Sequence, residues 1–252
     1  YVQDGLIAQW DGIENAGYAS HSGFLSQPKE LKGGLTPDLV GSIGVFDKYF
    51  TLGSGYMHFN SPEILAAING GHATIEMAVG YNGKTVANGG LFCVGNTTRG
   101  FWAYQGDAQK MVGDVSYHAR ASGDWSRYHD ATLKCDIDTL SFVLGPDSAS
   151  SFLAQNGDVL NKVASSADPS DCSSALNRFS TDCTDTDCYI GVLPGNYLQN
   201  SYKATAKVYS IRVYDTVLSE EERAANRAID YGRFIDAPLV ASALQGWHGS
   251  LR

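Results

Sequence analysis

The stretch AKVYSIRVYDTVLSEEERAANRAIDYGRF, residues 206–234, decides how the chain is read. From Thr205 to Tyr214 it is dense in β-branched and aromatic residues, the composition of a strand. Its second half carries helix signals. Ser219 and Glu222 form a capping box, Glu220, Glu221 and Glu222 crowd the first turn where the helix dipole favours acids, and Ala225, Ala228, Ile229 and Gly232 line one face. The spacing predicts a strand, a short connection and a helix over about Glu220 to Phe234. That face is expected to pack on a sheet.

Upstream of this helix the patterns are those of strands. Thr74 to Gly80 alternates Ile75, Met77 and Val79 against Thr74, Glu76 and Ala78, and Gly5 to Trp10 alternates in the same way. Tyr49 to Leu52 and Tyr56 to Phe59 flank Gly53-Ser54-Gly55 and read as a hairpin. Further strands are expected at Gly90 to Val94, Gly100 to Tyr104, Lys110 to Tyr117, Ala131 to Asp136, Thr139 to Leu144 and Tyr189 to Leu193. Ser151 to Gln155 and Val159 to Val163 flank Asn156-Gly157, the dipeptide suited to a type I′ turn. Ser61, Pro62 and Gly70 bracket a two-turn helix from Glu63 to Asn69. Asp11 to Gly44 reads as loops with at most short strands. The expectation is an all-β jelly-roll sandwich of two antiparallel sheets with a C-terminal helix packed on it, one domain over residues 1–235, and residues 236–252 as a tail or the start of a following segment.

Composition agrees with that class. Of 252 residues only 18% are charged, while 28 are Gly and 14 Tyr, a balance that favours strands and tight turns. A net charge of −9 with no run of basic residues excludes a nucleic-acid partner. No apolar run is long enough for a membrane-spanning helix. The chain opens on Tyr1 without a basic-then-apolar leader, so it reads as a mature product or an excised piece. Cys172, Cys183 and Cys188 fall in a polar segment, the pattern of bridges in an oxidising compartment. The pairing expected is Cys183 with Cys188 and Cys135 with Cys172, leaving Cys93 in GLFCVG as a buried thiol. Zinc is the rival, without a C-x-x-C pair or a His cluster to support it.

The segment from Ala206 to Phe234 resembles the closing signature of bacterial laminin-G-like, concanavalin A-like domains: a strand, a Leu-Ser/Thr-x-x-Glu helix start and an Asn-x-x-x-Asp helix, with Asn226 and Asp230 at the matching places. GLIAQWDGIENAG (Gly5 to Gly17) and FLAQNGDVL (Phe152 to Leu160) are similar to such domains' first strand and to one of their hairpins. The resemblance implies a secreted or cell-surface module that binds a glycan or a protein, sometimes with calcium. The segments Asp11 to Gly44 and Ser165 to Cys188 depart from the plain pattern, and the family's ligand residues do not map onto them.

Nothing in the sequence points to catalysis. Glycoside hydrolases with this kind of fold carry Glu-x-Asp-x-x-Glu on one strand face to flank the scissile bond, and the chain has no Glu-x-Asp. A G-x-S-x-G elbow and a Gly-rich phosphate loop are missing as well. The segment Ser116 to Asp130, expected to connect two strands, gathers Tyr117, His118, Arg120, Trp125, Arg127, Tyr128 and His129. Aromatic faces there could stack on sugars while Arg and His donate hydrogen bonds, although Trp125 and Tyr128 could equally plug the edge of a core. Asp182, Asp185 and Asp187 offer carboxylates for calcium in a loop unlike an EF-hand, and a merely solvated acidic loop is the alternative. Trp102 or Tyr104 could line a concave face. The expected function is non-catalytic carbohydrate binding or adhesion outside the cell or on its surface, with a structural or interaction domain of a larger surface protein as the alternative and a glycoside hydrolase behind both.

Overall fold

The computed structural model describes residues 1–16, 22–46, 48–82, 89–96, 99–105, 110–116, 125–133, 137–146, 150–160, 183–194 and 202–235. These form β1 (Leu6–Asp11), α1 (Gly12–Ala16), β2 (Ser22–Phe24), β3 (Asp38–Phe46), β4 (Tyr49–Asn60), α2 (Pro62–Gly70), β5 (Ala73–Gly80), β6 (Gly89–Gly95), β7 (Gly100–Gln105), β8 (Lys110–Ser116), β9 (Trp125–Thr132), β10 (Asp138–Leu144), β11 (Phe152–Gln155), β12 (Asp158–Val159), β13 (Asp187–Ile190), β14 (Lys207–Tyr214) and α3 (Glu220–Phe234). Along the sheet the strands run β12-β11-β10-β5-β14-β4-β13-β6-β7-β8-β9, with β1 beside β14 and β2 and β3 beyond β4.

Strand β14 joins two halves. It pairs along its length with β5, while only Lys207 and Val208 reach Thr51 and Phe50 of β4. The sheet curls there, so that its halves face one another: Trp10 of β1 lies 5.0 Å from Phe59 of β4, and Phe101 of β7 meets Phe142 of β10 edge-on at 5.5 Å. Between them lies a core that includes Trp10, Phe50, Met57, Phe92, Phe142 and Ile211. Each such side chain contributes about 1.5–3 kcal/mol by leaving water.

The antiparallel β architecture with one long late helix agrees with the sequence. The Asn156-Gly157 turn takes positive φ at both residues, 54° and 97°. Ser61 caps α2 by accepting from Ile64 N–H, and the helix ends one residue later than expected, at Gly70, with Gly71 as its cap at a φ of 64° that suits glycine.

Five expectations are corrected. Residues 38–46 form a strand within the segment read as loop, and Tyr49 to Asn60 is one strand, not a hairpin. Gly41 and Gly55 explain both: a Cβ on Gly41 would lie 2.5 Å from the Ser54 carbonyl oxygen and one on Gly55 2.7 Å from the Ser42 nitrogen, so these glycines permit a close, bulged strand pair. Residues 125–132 form β9, paired with β8, so Trp125, Arg127, Tyr128 and His129 stand on a strand and not in a loop.

The fourth correction concerns α3. Its buried residues are Arg223, Asn226, Asp230 and Phe234, whereas Ala225, Ala228 and Gly232 face outward. The sheet beneath presents Glu76, Ser210 and Arg212, so the helix turns its polar side inward to meet them. Asp230 takes Arg212 in a two-pronged ion pair at 2.8 and 2.6 Å, and Asn226 donates to Glu76 Oε2 at 2.6 Å. Burial opposes the Arg212 charge, but Asp230 and then Glu76 outweigh it and keep the guanidinium protonated well beyond its usual range. Asn226 and Asp230, the residues of the Asn-x-x-x-Asp resemblance, are therefore a clasp between helix and sheet.

The fifth is the disulfide. Cys183 and Cys188 are separate buried thiols, as is Cys93. The Cys183 and Cys188 side chains belong to the core, where thiols pack as small apolar groups, and each sulfur is directed to a backbone carbonyl, of Asp185 at 3.6 Å and Thr186 at 3.5 Å. Cys135 and Cys172, and the tail 236–252, lie outside the described residues.

Candidate functional site: an outward aromatic row

Alternation along a strand sends every second residue away from the core, and antiparallel pairing lines those residues up across neighbouring strands. In β4, Met57 and Phe59 enter the core while Tyr56 and His58 do not. The ladder then runs Asp38, His58, Tyr189, Cys93 and Trp102, one residue each from β3, β4, β13, β6 and β7. It continues in register through Asp114 of β8 to Arg127 of β9. Seven strands about 4.8 Å apart make a row of roughly 29 Å. The adjoining register position, Gly100 opposite Ser116 opposite Trp125, brings in the second residue expected from the sequence.

Tyr104, Tyr189, Cys93, Val192 and Leu193 form a small apolar cluster on this side, with Tyr56, Trp102 and Tyr202 against it. The His58 ring stacks on Tyr189 at 5.0 Å, and the Tyr56 ring lies tilted to Tyr189 at 6.4 Å. His58 Nε2 is 2.9 Å from Asp187 Oδ1, and both side chains are 33% exposed. Tyr189 donates to Asp187 Oδ2 at 3.3 Å. Burial, then the Asp187 charge, pushes the Tyr189 phenol well above its ordinary range, so it remains a donor. At the other end Lys203 Nζ donates to the Ser54 carbonyl at 3.2 Å and lies 5.8 Å from the centre of the Tyr56 ring. Among the described residues the buried Trp102 indole N–H has no hydrogen-bond partner, which costs about 1–3 kcal/mol.

Over the buried Cys93, Tyr104 and Tyr189, the half-buried rings of Tyr56, His58 and Trp102 lie beside polar groups, the combination that holds a sugar by stacking and directed hydrogen bonds. It is less suited to nucleophilic catalysis: His58 touches Asp187 and Tyr189, and no Ser or Cys among the described residues donates to it.

Of the residues expected from the sequence, Arg127 and Trp125 share the register of this row. Tyr128 pairs with Gly113, in the alternate set, and His129 lies beyond, on the same strand. Tyr117, His118 and Arg120 lie outside the described residues, as does Asp182. Asp185 accepts from Asp187 N–H, and both Asp187 oxygens are engaged by His58 and Tyr189, so calcium at this loop would have to displace protein partners. Among the described residues no group of three or more His, Cys, Asp or Glu side chains is arranged to hold a metal. Tyr56, His58, Tyr189 and Lys203 were missed because no short motif unites them; the alternation in Tyr56-Met57-His58-Phe59 was the signal available.

No protein-family model matches the sequence, and no curated protein matches it. Solved structures do. The chain is similar to the binding domain of botulinum neurotoxin DC in complex with SialylT, at 8% identity and a TM-score of 0.60, over 90% of this chain and 51% of that one. The same four figures describe its likeness to botulinum neurotoxin type C, whose way into cells depends upon interaction with two ganglioside molecules. A Trypanosoma rangeli sialidase in complex with 2,3-difluorosialic acid is similar at 11% identity and a TM-score of 0.56, over 92% of this chain and 34% of that one. At these identities the likeness is one of fold. The chain spans about half the length of the toxin structures and a third of the sialidase.

Proposed function

We propose that this chain is a non-catalytic carbohydrate-binding module, a laminin-G-like, concanavalin A-like jelly roll of a secreted or cell-surface protein, and that it binds glycan along the row from His58 to Arg127. The observation that carries the reading is the cross-strand register of His58, Tyr189 and Trp102 with Arg127, with Tyr56 two residues from His58 on β4 and Trp125 two residues from Arg127 on β9. The glycan partners named for the similar toxin structures support it. Sugar rings would stack on Tyr56 and Trp102 with His58 and Asp187 as polar partners, and Trp125 and Arg127 would extend the contact. Calcium at Asp182, Asp185 and Asp187 is a subsidiary proposal: titration with the ion should release heat that Asp185→Asn abolishes.

A glycan array probed with the intact protein tests the main reading, followed by Trp125→Ala on any ligand found. Saturable binding lost in Trp125→Ala, with an unchanged melting temperature, is the expected result. A sharply destabilised Trp125→Ala protein that still binds would make Trp125 a core plug, since removing a buried Trp costs about 3–5 kcal/mol. Folded protein that binds no glycan would leave the structural or interaction domain as the better reading.

A further inference from the structure

Lys203 is the least expected residue beside the row. It is only 8% exposed, yet no carboxylate among the described residues stands within ion-pair distance of it. Among the described residues its ammonium has one hydrogen bond, to the Ser54 carbonyl at 3.2 Å, and one ring contact, to Tyr56 at 5.8 Å. An ammonium has three protons to donate. A buried charge is normally paired or neutralised because leaving water is costly. The side chain is not there through a loose backbone: Lys203 bridges Gly90 and Val192, Ala204 N–H donates to the Gly191 carbonyl at 3.0 Å, and a Cβ on Gly89 would lie 2.7 Å from the Lys203 carbonyl oxygen. The fold thus holds an ammonium with two donors that no described residue accepts, at one end of an aromatic platform beside the Tyr56 ring.

We propose that Lys203 is the anion-recognising residue of the glycan site and that the ligand is a sugar carrying a carboxylate. This rests on the glycan-binding reading and gives it a substrate class. One ammonium with two free donors matches a single carboxylate, and the adjacent Tyr56 ring supplies a face for the sugar that bears it. Polysulfated or polyphosphorylated chains fit less well, because a protein of net charge −9 repels them and one lysine does not offset several charges. A neutral sugar would leave Lys203 as unpaired as before.

The test uses an array of uronic- and sialic-acid glycans, each printed beside its carboxyl-reduced counterpart and beside sulfated glycans, with affinities of the hits measured in solution. Wild-type protein should prefer the carboxylated member of a pair by about tenfold or more, the scale of a charge-assisted hydrogen bond. Lys203→Gln should abolish the preference and leave the weaker binding of the reduced sugar, while Lys203→Arg should keep much of it; thermal melts establish that each variant is folded. The wild-type comparison needs no variant, so a fold defect in Lys203→Gln cannot mask the answer. Equal binding of acid and reduced sugars by the wild type, a preference that survives Lys203→Gln, or tighter binding of sulfated glycans would overturn the proposal while leaving glycan binding intact. Failure of the folded protein to bind any glycan would remove both.

Discussion

Replacing Asp230 by Asn takes the charge out of the clasp between α3 and the sheet while almost preserving shape. Asp230 is fully buried and Arg212 is 1% exposed, so water cannot take over the lost partner. The carboxylate accepts from both Arg212 Nη atoms, from the Ser210 hydroxyl at 3.1 Å and from the Tyr1 hydroxyl at 2.9 Å. Asparagine keeps one acceptor and turns an amide N–H₂ towards a guanidinium, leaving Glu76 at 3.4 Å as the remaining carboxylate for Arg212. Breaking a buried pair from one side costs about 3–5 kcal/mol, a large part of the 5–15 kcal/mol that about covers a domain's whole stability. For a chain of this size the melting temperature should fall by roughly 6–20 °C. Urea unfolding followed by far-UV circular dichroism measures the change, with an unaltered m-value showing that the same structure unfolds. A loss below about 1 kcal/mol, the range of an exposed pair, would refute the clasp.

Three milder outcomes follow from the same structure. Ser219→Ala removes the cap that accepts from Glu222 N–H and should cost about 1 kcal/mol in the same urea assay, with glycan affinity unchanged. Cys93, Cys183 and Cys188 should escape alkylation in the native protein and react after unfolding; a peptide map carrying a Cys183–Cys188 bridge would contradict their assignment. Burial raises all three thiols above their ordinary range, so above about pH 8.5 the native state holds protons that the unfolded chain releases, and stability should decline above that pH in a pH series of melts.

Local signals made the fold legible and hid part of the site. The capping box at Ser219, the alternation of Thr74 to Gly80 and the Asn156-Gly157 turn each report a backbone preference that survives into the structure. Gly41 and Gly55 misled because glycine marks close approach of two strands as readily as it marks a turn, and only the partner strand distinguishes them. The inner face of α3 was misread for a related reason. Alanines look like a packing face until the sheet supplies Arg212 and Glu76, which draw Asn226 and Asp230 inward. At the site, Trp125 and Arg127 stood out as a local cluster of types. His58, Tyr189 and Lys203 are brought together by strand pairing across more than a hundred residues, a relation that no window of sequence contains.

The most direct test of the central claim is to map a bound glycan by amide and indole chemical shifts on isotope-labelled protein. The Trp102 indole N–H, which has no hydrogen-bond partner among the described residues, is a reporter placed within the row. Titration with a glycan found on the array should shift that indole signal and the amides of Tyr56, His58, Cys93 and Tyr189, and leave those of Arg223, Asn226 and Asp230 in place. Shifts confined to the α3 side of the sheet, with the Trp102 indole unmoved at saturation, would contradict the account.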